Sequence, residues 1–252
     1  MPRPLPAQQR YPAYPQNGSG QPGMHEAVSQ IFALGNQARA QAGVAALQWD
    51  PALAAAALKH CRQMAAEGPI SHQYAGEPDL TARAAQAGAH FSMIEENVAL
   101  APSAAAVHNA WMQSPGHREN LLSPDVDHAG IAVVYARGEL YAVADYSAQV
   151  ENLSQPQVEA RVASLLRPWG LEIAPDPAPA RAACASHDDR MLAPARSPAW
   201  MIRWQNADLS RLPQALLQQL QSGKYRQAAV GSCPAEYDGG AFTSYRVAVL
   251  LQ

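Results

Sequence analysis

Hydrophobic positions recur with a helical period through the first half of the chain and with a strand-like density after it. Val28, Ile31, Phe32 and Leu34 open an apolar face in a helix predicted over residues 25–42, which Gly43 ends. Asp50-Pro51 predicts the next start, because Asp caps the free amides and Pro fits the first turn. That helix runs to about residue 66, with Leu53, Ala57, His60, Cys61 and Met64 on one stripe. Gly68-Pro69 breaks it and leaves His72 on a loop. A short helix from Asp79 to Gln86 closes at Gly88, and Ser103 caps another whose inner face carries Val107, Ala110 and Trp111. Ser114-Pro115-Gly116 interrupts that helix, and His117 opens one more turn before Pro124. Residues 128–135 and 140–146 read as strands joined by Arg137-Gly138-Glu139. Their continuous apolar character predicts a sheet covered on both faces.

The pattern weakens at both ends. Residues 1–23 are rich in Pro, Gln, Gly and Tyr and have no hydrophobic period, which predicts a disordered linker. From residue 151 a second unit is expected. It has helices over 156–166 and 210–221, strands over 200–204, 227–232 and 244–250, and a Pro- and Ala-rich loop over 175–198. Its last strand pair echoes the hairpin of the first segment, so a degenerate half-copy is one reading and chance similarity of short apolar strands is the other.

A hydrophobic content of 48% supplies a core, and a net charge of −3 disfavours nucleic acid as a partner, since phosphate binding needs a basic face. No apolar run reaches the roughly 18 residues of a membrane span. Seven of the eight histidines fall within residues 24–150, which favours a histidine-using site there. Of three cysteines, Cys61 sits on the apolar helical stripe as a free thiol. Cys184 and Cys233 suit a disulfide in an oxidising compartment, with two unpaired thiols as the alternative.

Candidate chemistry gathers around three residues. His72 is either a cleft ligand or a loop histidine bonded to backbone. Glu96 precedes Asn97-Val98-Ala99-Leu100, which enters the core, so its carboxylate needs a partner. The candidates are a structural Arg, His72, His117 or a metal. His117 lies near the free amides of its helix start, whose field favours the neutral imidazole, the form that ligates a metal or accepts a proton. His60 reads as a satisfied core histidine. His90 and His108 have no motif support, and His25 is expected to face solvent. Ser71 or Ser114 as a nucleophile lacks a strained Gly-x-Ser-x-Gly elbow. A mid-helix apolar setting argues against Cys61 in that role.

The ordered series Asn36-x-x-Arg39, Leu47-x-Trp49-Asp50-Pro51, Ser71-His72, Glu96-Asn97, Trp111 and Ser114-Pro115-Gly116-His117-Arg118 resembles the CAP superfamily of cysteine-rich secretory, antigen-five and pathogenesis-related proteins. The Ser-Pro-Gly-His-Arg form is similar to its bacterial, SCP-like branch. The resemblance covers about residues 24–150, leaving 1–23 as linker and 151–252 as a smaller C-terminal α/β domain. It implies an α/β fold arranged as an α-β-α sandwich. It also implies export, with the chain expected to begin after a removed signal or anchor and to carry an added Met. The localisation implied is secreted, periplasmic or cell-surface. A cleft lined by His72, Glu96, His117, Trp111 and Asn97 follows from the resemblance, with His72, Glu96 and His117 as ligands of a divalent metal such as zinc. The chain departs from the family in having Glu95 where Gly usually precedes the Glu-Asn pair, in lacking a recognisable second cleft glutamate, and in lacking the eukaryotic disulfide framework.

Two functions follow, and sequence leaves open whether there is turnover. The first is an exported binding protein whose cleft takes a divalent metal, a lipid or a peptide. The second is a zinc-dependent hydrolase of peptide or cell-wall material, with water in the fourth position and Glu119 as the one local carboxylate on offer as general base. Glu119 lies two positions after His117 and should not share its helical face, and no His-Glu-x-x-His helix is present.

Overall fold

The computed structural model describes residues 22–186, 200–235 and 241–252. The expected linker up to residue 21, His187 and the Pro-rich stretch from 187 to 198 lie outside the described residues. The first part of the chain forms α1 (Pro22–Gln41), β1 (Gln48–Trp49), α2 (Pro51–Glu67), α3 (Leu80–Gln86), β2 (Phe91–Ala101), α4 (Ala104–Gln113), α5 (Pro115–Leu122), β3 (His128–Ala136) and β4 (Glu139–Gln149). The strands order β1-β3-β4-β2, with β1 parallel to β3 and the other pairs antiparallel.

Local chemistry explains the boundaries. The Asp50 carboxylate accepts from the amides of Ala52 (2.7 Å) and Leu53 (3.1 Å), and Pro51 begins α2. Gly43, at φ 74°, supplies the left-handed residue that stops α1. The β3–β4 connection is tighter than expected. Ala136 pairs with Glu139, so the loop is Arg137-Gly138 alone, both at positive φ as a primed hairpin turn demands.

Three layers follow from the alternation along the strands. Ala129, Ile131, Val133, Ala142, Ala144 and Tyr146 face one side and pack with α1 and α4 residues such as Ile31, Phe32, Val107 and Trp111. Ala132, Tyr141, Val143 and Val98 face the other side and meet Ala57, Cys61 and Met64 of α2. The fold is thus an α-β-α sandwich. The expected stripe on α2 is buried in full. Ala110, expected on the inner face of α4, is exposed; Ala104, Val107 and Trp111 alone define the buried face of that helix.

β2 was not expected as a strand. Glu95 and Glu96 interrupt its apolar run, and the helical reading on either side hides a period of two. It is the longer edge of the sheet, and its alternation sends Glu96 and Val98 towards α2 and Asn97 and Ala99 towards α4 and α5.

The rest forms α6 (Gln155–Leu166), a 3-10 turn (Arg167–Trp169), β5 (Glu172–Ile173), α7 (Ala178–Ala185), β6 (Trp200–Asn206), α8 (Gln214–Gln221), β7 (Gln227–Cys233) and β8 (Tyr245–Leu251). α7 replaces part of the expected loop, since its alanines favour helix over the Pro signal at its start. α8 begins four residues late because Pro213 lies at its entry. The second sheet orders β5-β7-β8-β6, with the same parallel and antiparallel pairings as the first. α7 covers one face; α6 and α8 cover the other. The half-copy reading therefore matches the topology.

One packing detail recurs in both sheets. A Cβ built on Gly130 would lie 2.0 Å from the Ala54 amide nitrogen of α2, and one on Gly231 would lie 2.2 Å from the Arg181 nitrogen of α7. Each helix backbone rests directly on a strand where only glycine fits. Gly130→Ala is expected to cost about 2–3 kcal/mol, because the contact is backbone and cannot yield by a rotamer change. A denaturation midpoint equal to that of the parent would refute this.

Candidate functional site

The loop between α2 and α3 presents His72, and buried polar groups clamp it in place. His60 on α2 donates from Nε2 to the Ser71 carbonyl (2.9 Å) and meets Glu77 Oε1 through Nδ1 (2.7 Å). Glu77 Oε2 accepts from the Tyr74 amide (3.0 Å). Arg83 on α3 donates to the His72 carbonyl (3.0 Å). His60 is therefore the satisfied core histidine its place on the stripe predicted, and it serves the loop that carries His72.

Glu96 projects from β2 towards this loop. Its Oε1 lies 2.8 Å from His72 Nδ1, and its Oε2 accepts from Arg83 at 2.5 Å. Two of the candidate partners thus hold it at once. Side-chain exposure is 3% for Glu96, 1% for Arg83 and 59% for His72, so a buried ion pair orients a ring that faces solvent. The hydrogen bond to Glu96 raises the His72 pKa against the opposing effect of burial.

His117 approaches from α5, on the far side of the β2 edge. The His72 and His117 ring centres are 6.3 Å apart, with their planes inclined at 51°. α5 starts at Pro115, two residues before the expected opening at His117, because Pro fits the first turn. The His117 pKa is lowered, firstly by burial and secondly by the neighbouring charge of His72, in the direction expected from sequence.

Asn97 and Trp111 hold these elements together and do not line the cleft. Asn97 is fully buried, donates to the His117 carbonyl (2.8 Å) and accepts from Asn120 (3.0 Å). Trp111, also buried, donates to the Val98 carbonyl (3.1 Å). Asn120 reaches the Glu96 carbonyl at 3.2 Å. Together these bonds seal the outer edge of β2 with α4 and α5.

Glu119 is exposed and belongs elsewhere. It lines a separate cavity of about 670 Å³ with Met93, Glu95, Met112, Arg118 and Leu122. Glu95 faces that cavity, and burial followed by Glu119 and Asp125 raises its pKa. Strand alternation puts it opposite Glu96, so Glu119 is out of place as a base for chemistry at His72.

Among the described residues, no group of three or more His, Cys, Asp or Glu side chains is arranged to hold a metal ion. The set His72, Glu96 and His117 does not fit as three ligands of one ion, because Glu96 Oε1 sits 2.8 Å from His72 Nδ1, too close for an ion between them, and Oε2 is held in the ion pair with Arg83. What remains is a pair of imidazoles, with Glu96 as the group that fixes one of them. Among the described residues of the second unit there is no such arrangement. Arg203 pairs with Ala248 beside Gly231, where Glu96 and Asp145 stand beside Gly130.

Arg83, Asn120, Glu77 and Asp145 were not anticipated, nor was the support that His60 gives to the His72 loop. Asp145 carried a readable signal, as the one charged side chain within the apolar run 140–146. Cys61 is buried and free, and burial pushes its thiol up to about 12, in line with an inert role. Cys184 and Cys233 form a disulfide.

Residues 32–146 match the family described as CAP, the cysteine-rich secretory protein family. The Uncharacterized membrane protein YlbC of Bacillus subtilis (strain 168) is 34% identical over 106 residues, which are 41% of this chain and 30% of that protein. The chain thus spans less than a third of that relative's length. Among solved structures, an extracellular protein containing an SCP domain from Bacillus anthracis str. Ames is 25% identical, with 52% of this chain and 45% of that one covered at a TM-score of 0.48. An outer surface protein from Borrelia burgdorferi is 21% identical, with 49% of this chain and 93% of that one covered at a TM-score of 0.46.

Proposed function

We propose that the protein, whose residues 32–146 match the cysteine-rich secretory protein family, is an exported binding module of the CAP superfamily whose cleft offers His72 and His117 to a divalent cation. Export is supported by the family's description and by the Cys184–Cys233 disulfide, which persists in oxidising compartments. No helix among the described residues is long and apolar enough to cross a membrane.

The observation that carries the reading is the division of labour on His72. Glu96 occupies Nδ1, so Nε2 is left to a ligand, as in carboxylate–histidine–metal arrangements. With zinc–nitrogen bonds of about 2.0–2.1 Å and ring centres a little over 1 Å behind the nitrogen, two imidazoles on one tetrahedral zinc have centres roughly 5.2 Å apart. The separation of 6.3 Å in the metal-free protein has to close by about 1 Å on binding, a movement open to the solvent-exposed His72 ring. Solvent fills the other coordination positions. Glu119 lies in another cavity, and among the described residues no carboxylate besides the bonded Glu96 stands beside the ring pair to serve as base, so binding accounts for the geometry better than hydrolysis.

Metal analysis and calorimetry on protein without a histidine tag test this. Stoichiometric zinc is expected in the parent and its loss in His72→Ala and in His117→Ala. Glu96→Gln keeps the shape but weakens the acceptor for Nδ1, and is expected to reduce affinity about 10- to 100-fold. Metal binding releases the proton from His72, whose pKa is raised, so affinity falls as pH drops through a range above that of an ordinary imidazole. Full zinc retention by the double alanine variant would rule the proposal out.

A further inference from the structure

Asp145 sits on β4 at the α2-facing positions that also include Tyr141 and Val143, and it has no exposed surface. On one side it is paired with Gly130 of β3, above which the α2 backbone fills the space of a Cβ. On the other it is paired with Glu96 of β2. The Glu96 and Val98 carbonyls receive Asn120 and Trp111 at the outer edge, so Glu96 and Asp145 make a non-hydrogen-bonded pair, the closer of the two antiparallel kinds. Neither Asp145 oxygen receives a hydrogen bond from any described donor.

Charge does not balance around it if it is ionised. Glu77, Glu96 and Asp145 would be three buried carboxylates beside one guanidinium. Arg83 bonds Glu96 and the carbonyls of His72 and Pro78 through its terminal nitrogens and lies 3.8 Å from Glu77; its charge opposes protonation of Asp145, but its buried Nε–H makes no hydrogen bond to it. His60 on α2 lies 3.9 Å from Glu96 and bonds Glu77 and Ser71. The α2 atoms nearest the space over Gly130 are the Ala54 nitrogen, which donates to the Asp50 carbonyl, and the carbonyl carbon and Cβ of Leu53, and Tyr146, next on β4, faces the opposite layer. A buried anion without donors is costly, whereas a neutral acid needs one acceptor, and Glu96 is that acceptor.

We propose that Asp145 stays protonated in the folded protein and donates a hydrogen bond to Glu96, so that it is a positioning residue that holds the Glu96 carboxylate against His72. Burial and the Glu96 charge both push its pKa well above the usual carboxylate range, in the same direction as the geometry. The consequence for ligand binding rests on the imidazole-pair reading; the proton assignment does not.

The test is read on metal-free full-length protein. Infrared spectra at neutral pH, with carboxyl-labelled Asp, are expected to show a protonated carboxylic acid band that Asp145→Asn removes. Asparagine keeps shape, neutrality and a donor. Nitrogen-15 NMR should therefore show neutral His72 as the Nδ1–H tautomer in both the parent and Asp145→Asn, with its titration unmoved. Asp145→Val has no donor, and the Nε2–H tautomer favoured by a free imidazole is expected to appear. Absence of the acid band, or a His72 pKa lowered by about one unit or more in Asp145→Asn, would show that Asp145 is an anion and overturn the proposal. An unchanged tautomer in a folded Asp145→Val protein would overturn the positioning role. Should Asp145→Val not fold, the band and Asp145→Asn decide. Failure of the parent to bind zinc would overturn the binding reading and leave the proton assignment standing.

Discussion

Replacing Arg83 by leucine is expected to remove about 3–5 kcal/mol of folding stability, the range for taking one partner from a buried ion pair. Among the described residues its guanidinium is the one arginine or lysine group paired with Glu96 and Glu77, and both acids are 3% exposed at their side chains. It also ties the His72 carbonyl to α3. Leucine would leave the carboxylates in a low-dielectric layer and free the loop that carries His72. Chemical denaturation of Arg83→Leu measures the loss, and a change below about 1 kcal/mol would contradict the role assigned to the pair. Removing both charges should cost less than removing one. Arg83→Met combined with Glu96→Gln is expected to be more stable than Arg83→Met alone, with a coupling of about 0.5–3 kcal/mol.

The same cluster marks the boundary of what was legible in the sequence. His72 and Glu96 were singled out because a loop after a helix break and an acid entering an apolar run each leave a local signature. Their meeting was legible through the family resemblance. Arg83 left no such sign: in a seven-residue amphipathic helix an arginine looks like a solvated one, and its burial depends on how α3 folds back over the β2 edge. β2 itself was hidden because Glu95-Glu96 looks like a loop until one sees that the two acids point to opposite faces. Asn97 and Trp111 kept their importance but changed their task, since burial puts them behind the cleft. In the C-terminal unit, strand density predicted the second sheet. α7 was masked by prolines that mark the start of a helix as well as the body of a loop.

Breaking the Cys184–Cys233 link in a double serine variant is expected to cost the C-terminal unit about 2–4 kcal/mol. The bridge closes a separation of 49 residues, and loop closure of that length accounts for up to about 4 kcal/mol in the chain-entropy picture. Cys184 is wholly buried on α7, where Ala180 and Ala183 pack against Ala229, Ala248 and Leu250. The bridge therefore joins the helix that covers one face of the second sheet to the end of β7. Few large side chains support that face, so the link has more to hold than it would over a leucine-rich layer. The first unit contains neither cysteine. Its contacts with the second include the Thr243 amide to the Phe91 carbonyl (2.7 Å) and an edge-on Phe91–Phe242 pair. Calorimetry of the variant is expected to show an early transition for the second unit and a nearly unchanged one for the first. A single transition shifted as a whole would mean instead that the two sheets unfold together, and that the second is an integral part of the stability of the histidine cleft.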